Sequence, residues 1–536
     1  MQHVVRCLMF LIIAALATTP AFAAELRTTG FIDNVFPHWE RNISAPPSDN
    51  DTTRNHDSAT WGRTRGRLFF NFIANDDLRG VFGIELDAAW GLPRRDAAGA
   101  GCQEFAEGAY GSEECGFRKN TDINNFQLKH LYVDFSIPQL PFGNRTQLGG
   151  FPLNATPLHN QLVLYGDYGG GATRLTFSDK VSLMLYYVQL EENVETFPNM
   201  PLAGTNTRLG EDYGTGGTLM LKPIEGLDLH LVGVYGHLQN PFSSTLTTTS
   251  GPFGFIQNDT TNVTTESRYY LGFDSRYRMG NLSIEPFFVY LLGTRNFCSP
   301  GSLINTNGNT RVPCTSPVGS PSSTDFNAYV GSFLVRYVTG PLLLQAKYAY
   351  ASGNRAGDDI NNRGNGPRSD VKDYRVFSID GSPIWNQWFE ILGRSEVDGT
   401  SLTTFRRMGE IGHLDRFGWQ EVAVAPEYQL TDNLILEGAA GAFWTAGMPT
   451  SCPAVLRTAT GACGGPNNSS GQPIYNFTGK SNFVGWEVDV GFRYSIMPGL
   501  TWTPRFGYAD YGDAVAQNNR SPQGAWTFSN RMIYIF

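Results

Sequence analysis

The sequence predicts an all-β chain that closes into a transmembrane, antiparallel, up-and-down barrel of about eighteen strands, and three observations carry that expectation. Segments of about nine to eleven residues with apolar and polar side chains in alternation recur along the whole chain, which is the per-strand signature of a spanning barrel. Their connections alternate strictly between short ones and long polar ones, as the two ends of such a barrel do. The 536 residues include 60 Gly, 36 Phe, 23 Tyr and 10 Trp, yet only 17% are charged and the mean hydropathy is slightly negative. A wall with one lipid face and one wet face averages to that composition, whereas a helical membrane protein does not.

Taken in order, residues 1–23 read as a secretory signal peptide: a basic start at Arg6, an apolar run over 8–17, and Ala21-Phe22-Ala23 before Ala24. Its removal leaves a single domain, 24–536, and takes one positive charge, so 39 basic residues face 49 acidic ones. Nucleic acid is thereby excluded as a partner, since its binding calls for a basic excess. No later stretch reaches the roughly 20 apolar residues of a spanning helix, so a membrane fate requires a barrel, the other structure that satisfies every backbone group in lipid.

The first strand is expected over 28–35 and, after a polar segment, the second over 61–74. There Leu68, Phe70 and Phe72 share one face and Arg63, Arg65 and Arg67 the other. A tight turn leads to 81–91, with Phe82, Ile84, Leu86 and Trp90 against Glu85 and Asp87. Further strands are read over 124–137, 145–155, 172–178, 180–191, 213–222, 227–238, 268–279, 281–293, 326–338, 341–352, 418–430, 433–446, 482–496, 500–511 and 526–536. The segment 172–178 is the weakest, and sixteen is the alternative count. A soluble β-sandwich array would show domain-length repeats and similar loops at both ends, and a β-helix would show a short sequence period; neither pattern is present.

The closing stretch, W-T-F-S-N-R-M-I-Y-I-F, places Trp526, Phe528, Met532, Tyr534 and Phe536 on one parity and Thr527, Ser529 and Arg531 on the other. It resembles the C-terminal signal of Gram-negative outer-membrane proteins, and the whole chain resembles the porins and substrate-specific channels, including alginate-exporter-like barrels, in architecture and in that signal. The resemblance implies an outer-membrane location, contact with lipid and with the barrel-assembly machinery, short periplasmic turns and long extracellular loops. It also implies passage of small hydrophilic solutes, and it transfers no substrate-defining motif. Homo-oligomers are compatible with it. The second reading is a plugged receptor or structural barrel that binds a partner or surface through its long loops. No G-x-S-x-G, H-E-x-x-H or P-loop is present and the eight His are scattered, so neither an enzyme nor a cofactor is expected.

The parity of each strand assigns its inward residues. Beside the ladder of Arg63, Arg65 and Arg67 with Glu85 and Asp87, these include Arg268, Arg276, Arg278 and Arg336. Charge on the lipid face costs roughly 2 to 4 kcal/mol for Arg or Lys, so these residues belong to a hydrated lumen. Three guanidinium groups on successive inward positions could hand an anionic or hydroxylated solute along; solubilising a wet wall is the plain alternative. The longest connection, 353–417, carries Ile384, Trp388, Ile391 and Leu392 at helical spacing after Ser382-Pro383. A short helix with Trp385, Trp388 and Phe389 needs a partner surface, either as a constriction folded into the mouth or packed on other loops or protomers. Asp358, Asp359, Asn361 and Asn362 form a polar turn lacking the full spacing of a calcium loop, and no metal site is read from the sequence.

Six cysteines remain after the leader, in three short-range pairs: Cys102 with Cys115, Cys298 with Cys314, and Cys452 with Cys463. Each spacing suits a disulfide stapling one loop in an oxidising compartment. Zinc is disfavoured because no CxxC and no His at ligand spacing accompanies them.

Overall fold

The computed structural model describes residues 25–36, 38–41, 57–60, 62–90, 125–158, 162–192, 211–239, 263–298, 321–354, 370–374, 388–392, 417–448, 481–515 and 524–536. The strands are β1 (Glu25–Val35), β2 (His38–Arg41), β3 (Asp57–Thr60), β4 (Gly62–Asn75), β5 (Leu78–Trp90), β6 (Asn125–Phe135), β7 (Gly143–Asn154), β8 (Tyr165–Thr176), β9 (Val181–Glu192) and β10 (Glu211–Leu221). They continue as β11 (Leu227–Gln239), β12 (Val263–Met279), β13 (Leu282–Cys298), β14 (Pro321–Thr339), β15 (Leu342–Ala351), β16 (Trp419–Thr431), β17 (Leu434–Trp444), β18 (Phe483–Met497), β19 (Leu500–Tyr511) and β20 (Ala525–Ile535).

β2 prolongs β1 and β3 prolongs β4, the four pairing along one seam from Glu25↔Ile73 through Val35↔Arg63 to Arg41↔Asp57. The break between β1 and β2 falls after Val35 and before His38. Twenty segments therefore make eighteen staves, each antiparallel to both neighbours. The barrel closes where β1 meets β20, from Phe31↔Ile535 to Val35↔Arg531. Gly30 and Phe536 exchange backbone hydrogen bonds of 2.9 and 3.0 Å at the seam. On its inner side Arg531 donates to both oxygens of Asp33, at 2.9 and 3.1 Å. Closure gives each described stave a hydrogen-bonded neighbour on both sides, as a chain surrounded by lipid requires.

Period-two alternation decides which side chains meet which solvent. Leu271, Val424, Val490 and Tyr534 stand outward and exposed, while Asp274, Glu421, Asp489 and Arg531 stand inward. An outer belt of exposed Leu, Val, Phe and Tyr on a closed barrel is a lipid-facing surface. Turns at one end are as short as Gly280-Asn281 and Gly340-Pro341, with positive φ at Gly280 and Gly340 (57° and 56°), a conformation that glycine adopts without a Cβ penalty.

The expected count of eighteen holds, and three details differ. The sixth stave runs Tyr165–Thr176 rather than 172–178, because Gly169-Gly170-Gly171 has no side chains to show alternation. The polar segment before 61 contributes β2 and β3. β12, β13 and β14 are 17, 17 and 19 residues long. Their upper ends, such as Val263-Thr264-Thr265-Glu266-Ser267, are polar on both faces and read as loop. Residues 1–23, Asp358 to Asn362, Trp385 and the cysteines other than Cys298 lie outside the described residues, as do the side chains of Arg63, Asp87 and Cys298.

Candidate pore and its constriction

The ladder on β4 is built by the pairing of β4 with β5, which sets Arg67 opposite Glu85 and Arg65 opposite Asp87. Glu85 is the hub. Its Oε2 accepts from Arg67 and lies 3.8 Å from Arg65 Nε, and its Oε1 lies 3.6 Å from Lys129 Nζ. Lys129 reaches the lumen through a β-bulge: the register steps from Gly83↔His130 to Ile84↔Leu128 and skips residue 129. Leu128 and Leu131, both more than half exposed, accordingly stand outward on either side of two successive inward residues. A bulge re-aims side chains in this way. Lys129 Nζ and His130 Nε2 share the two oxygens of Asp167, at 2.6 and 2.7 Å.

The other expected inward charges pair elsewhere. Arg268 and Arg295 share Glu266, and each guanidinium lies 5.5 Å from the centroid of the Phe326 ring. Arg276 and Arg336 share Glu285 at 2.9 and 3.2 Å. Arg278 reaches Asp228 at 3.5 Å. These side chains form separate groups, apart from the ladder on β4.

In several of these pairs the two partners are unequally exposed. Side-chain exposure is 25% for Arg67 against 5% for Glu85, 38% for Arg79 against 1% for Asp134, and 37% for Arg336 against 1% for Glu285. The carboxylates lie against the wall and the guanidinium groups reach into the bore. Other pairs are balanced: Lys129 and Asp167 at 21% and 25%, and Arg268 and Arg295 buried together with Glu266.

The described tip of the long connection, residues 388–392, is a turn and bends rather than the helix expected over 384–393. Its packing explains why. The N–H groups of Glu390 and Ile391 donate to Glu487 Oε1 at 2.8 and 2.7 Å, Leu392 N–H donates to Glu487 Oε2 at 2.5 Å, and Glu390 N–H also donates to Asp489 Oδ2 at 3.0 Å. Two inward carboxylates of β18 thus take three successive backbone N–H groups of the segment. Phe389 is fully buried, edge-on to Phe443 at 5.1 Å, and Lys347 Nζ lies 5.1 Å over the Trp388 ring.

Three wall glycines shape the seat. A Cβ at Gly441 would lie 2.6 Å from the Phe389 ring, one at Gly485 3.2 Å from Leu392 Cδ1, and one at Gly507 2.2 Å from Asp489 Oδ1 and 3.3 Å from Glu390 Cβ. The sequence marked Trp388 and Phe389 as rings that need a partner surface, and Phe389 packs on Phe443. The socket was not legible, although inward glycines on the three consecutive strands β17, β18 and β19 were its available signal.

Two further inward elements escaped the sequence reading. Residues 155–158 and 162–164, between β7 and β8, fold over the wall: Thr218 Oγ1 donates to the Ala155 carbonyl at 2.9 Å, and Leu158 N–H to Asp274 Oδ2 at 2.8 Å. Residues 370–374 pair Val371 with the upper edge of β14, which β15 leaves unpaired above Val330. Tyr374 then packs on Tyr270 and donates to the Leu162 carbonyl at 2.7 Å, joining the two elements. Burial pushes its phenol well above the usual value, so it remains a donor.

A closed antiparallel barrel of eighteen staves with an apolar belt outside, charged side chains inside and loop segments folded onto its inner wall defines a transmembrane β-barrel. No family model matches the chain, and no curated protein matches it. Among solved structures it is similar to Acinetobacter baumannii OccAB1, with 10% identity over 97% of this chain and 99% of that one at a TM-score of 0.47. It is similar also to Pseudomonas aeruginosa OccK8 (OprE), with 13% identity over 96% and 99% at 0.46, and to Pseudomonas aeruginosa OccK11 (OpdR), with 9% over 95% and 96% at 0.44.

Proposed function

We propose that this chain is an outer-membrane channel for small hydrophilic solutes, with a preference for anions. The observation that carries the reading is the unequal exposure of three inward ion pairs, Arg67–Glu85, Arg79–Asp134 and Arg336–Glu285, in which guanidinium groups face the bore and carboxylates line the wall. A solute in a narrow aqueous gap meets the nearer charge first, and low-dielectric walls focus that field. The formal net charge of -9 therefore does not set the sign of selectivity. The seated segment 388–392 narrows the passage, and the wall charges at that level discriminate among the solutes that fit.

Substitution of Arg63, Arg65 and Arg67 together by Gln is expected to lower the anion-to-cation permeability ratio measured from reversal potentials in planar bilayers. The shift should shrink in molar salt, where the Debye length falls to about 3 Å. A variant with the wild-type reversal potential would make these arginines wall solubilisers and nothing more.

A further inference from the structure

Beside the ladder lies a group of rings that the charge argument leaves unused. Phe69 on β4 and His130 on β6 face each other across Gly83 of β5, with centroids 5.2 Å apart; Tyr132 follows at 6.1 Å from His130, and Phe151 of β7 at 6.4 Å from Tyr132. Gly83 is a floor: a Cβ there would lie 2.7 Å from Phe69 Cδ1 and 2.8 Å from Cε1. The ring is thus laid over the wall where a side chain would otherwise stand.

Charged groups bracket these rings along the strands. On one side Arg67 and Lys129 meet Glu85, and on the other Arg79 holds Asp134 at 2.9 and 2.6 Å with Arg145 beside it. The two groups flank Phe69 and Tyr132 by two residues along β4 and β6 respectively, roughly 7 Å of strand.

We propose that the partly exposed rings of Phe69 and Tyr132, backed by the buried Phe151, are a stacking platform for a pyranose, so that the solutes favoured by this channel include neutral saccharides of one to three rings. An aromatic face stacks against the C–H face of a pyranose, and the sugar hydroxyls require hydrogen-bonding groups around the rim. The guanidinium groups of Arg67 and Arg79 suit hydroxyls better than a solute carboxylate. Each already binds a buried carboxylate with part of its fork, and keeps spare N–H donors that a hydroxyl accepts from without breaking the pair. The inference rests on the channel reading above and adds a solute class to it.

The test is ion-current block by glucose, maltose and maltotriose added to the purified full-length protein in a planar bilayer. Wild type is expected to show reversible, concentration-dependent block, and Phe69→Leu at least about a fivefold rise in the half-blocking concentration, the size expected for one lost ring contact. Open conductance and reversal potential should stay at wild-type values, and Phe69→Trp should restore block. Gly83→Ala, which displaces the ring, should mimic Phe69→Leu. Current without block by any of the three sugars, or equal block in wild type and Phe69→Leu, overturns the platform and leaves the channel standing. Absence of any current overturns both.

Discussion

Replacing Glu487 and Asp489 together by alanine raises single-channel conductance severalfold while leaving the barrel folded. These carboxylates accept four hydrogen bonds from three successive N–H groups of the seated tip. Hydrogen bonds to a charged acceptor contribute roughly 1.5 to 3 kcal/mol each, and a buried N–H left unsatisfied costs roughly 1 to 3. Burial of Phe389, Ile391 and Leu392 opposes release by roughly 1.5 to 3 kcal/mol per side chain. The two sums are comparable, so loss of one acceptor leaves the balance open and loss of both tips it toward release, where water satisfies the three N–H groups. Glu487 accepts three of the four bonds, so Glu487→Ala alone should exceed Asp489→Ala alone. The staves keep their own ladders, and the variant should retain the electrophoretic mobility of a folded barrel in unheated detergent gels. Unchanged conductance in the double variant would place the constriction elsewhere.

A second large effect is expected at Glu85, with the opposite sign to that of its partners. Glu85→Gln removes the carboxylate that three cations share and leaves Arg65, Arg67 and Lys129 facing one another. The anion-to-cation permeability ratio should rise, whereas the arginine-to-glutamine variants lower it. Removing one partner of a fully buried pair costs roughly 3 to 5 kcal/mol, but Arg67 and Lys129 are a quarter and a fifth exposed. Solvent reaches these two but barely Arg65, whose side chain is 9% exposed, so the stability cost should lie toward the lower end of that range. Reversal potentials at low and molar salt check the sign, and denaturant midpoints check the cost. A ratio that falls in Glu85→Gln would mean that the ladder does not face the permeating solute.

What the sequence made legible follows from the physics of each feature. Staves such as β12 and β18 betray themselves because lipid demands an apolar residue at every second position, as in Tyr269, Leu271 and Phe273 or Trp486, Val488 and Val490. Arg65, Arg67 and Glu85 were legible for the same reason, since a charge on that parity has no other tolerable direction. The bulge at Lys129 was hidden, because one skipped residue between Leu128 and Leu131 looks like noise in a period-two pattern. The seat of 388–392 was hidden more deeply. Trp388, Ile391 and Leu392 fall at helical spacing, yet the carboxylates that capture the backbone lie about a hundred residues away, and no local pattern encodes that capture. Tyr374 bonding to the Leu162 carbonyl across 212 positions is the same case: such contacts depend on closure of the barrel, which brings the partners together.

The most direct measurement is a planar-bilayer recording of the purified wild-type protein across a KCl gradient. An open, cation-lined bore predicts stable unitary currents with a reversal potential displaced toward that of chloride. A silent membrane, despite a folded and inserted barrel, would contradict the account and make the inward segments at 155–158, 162–164, 370–374 and 388–392 parts of a plug.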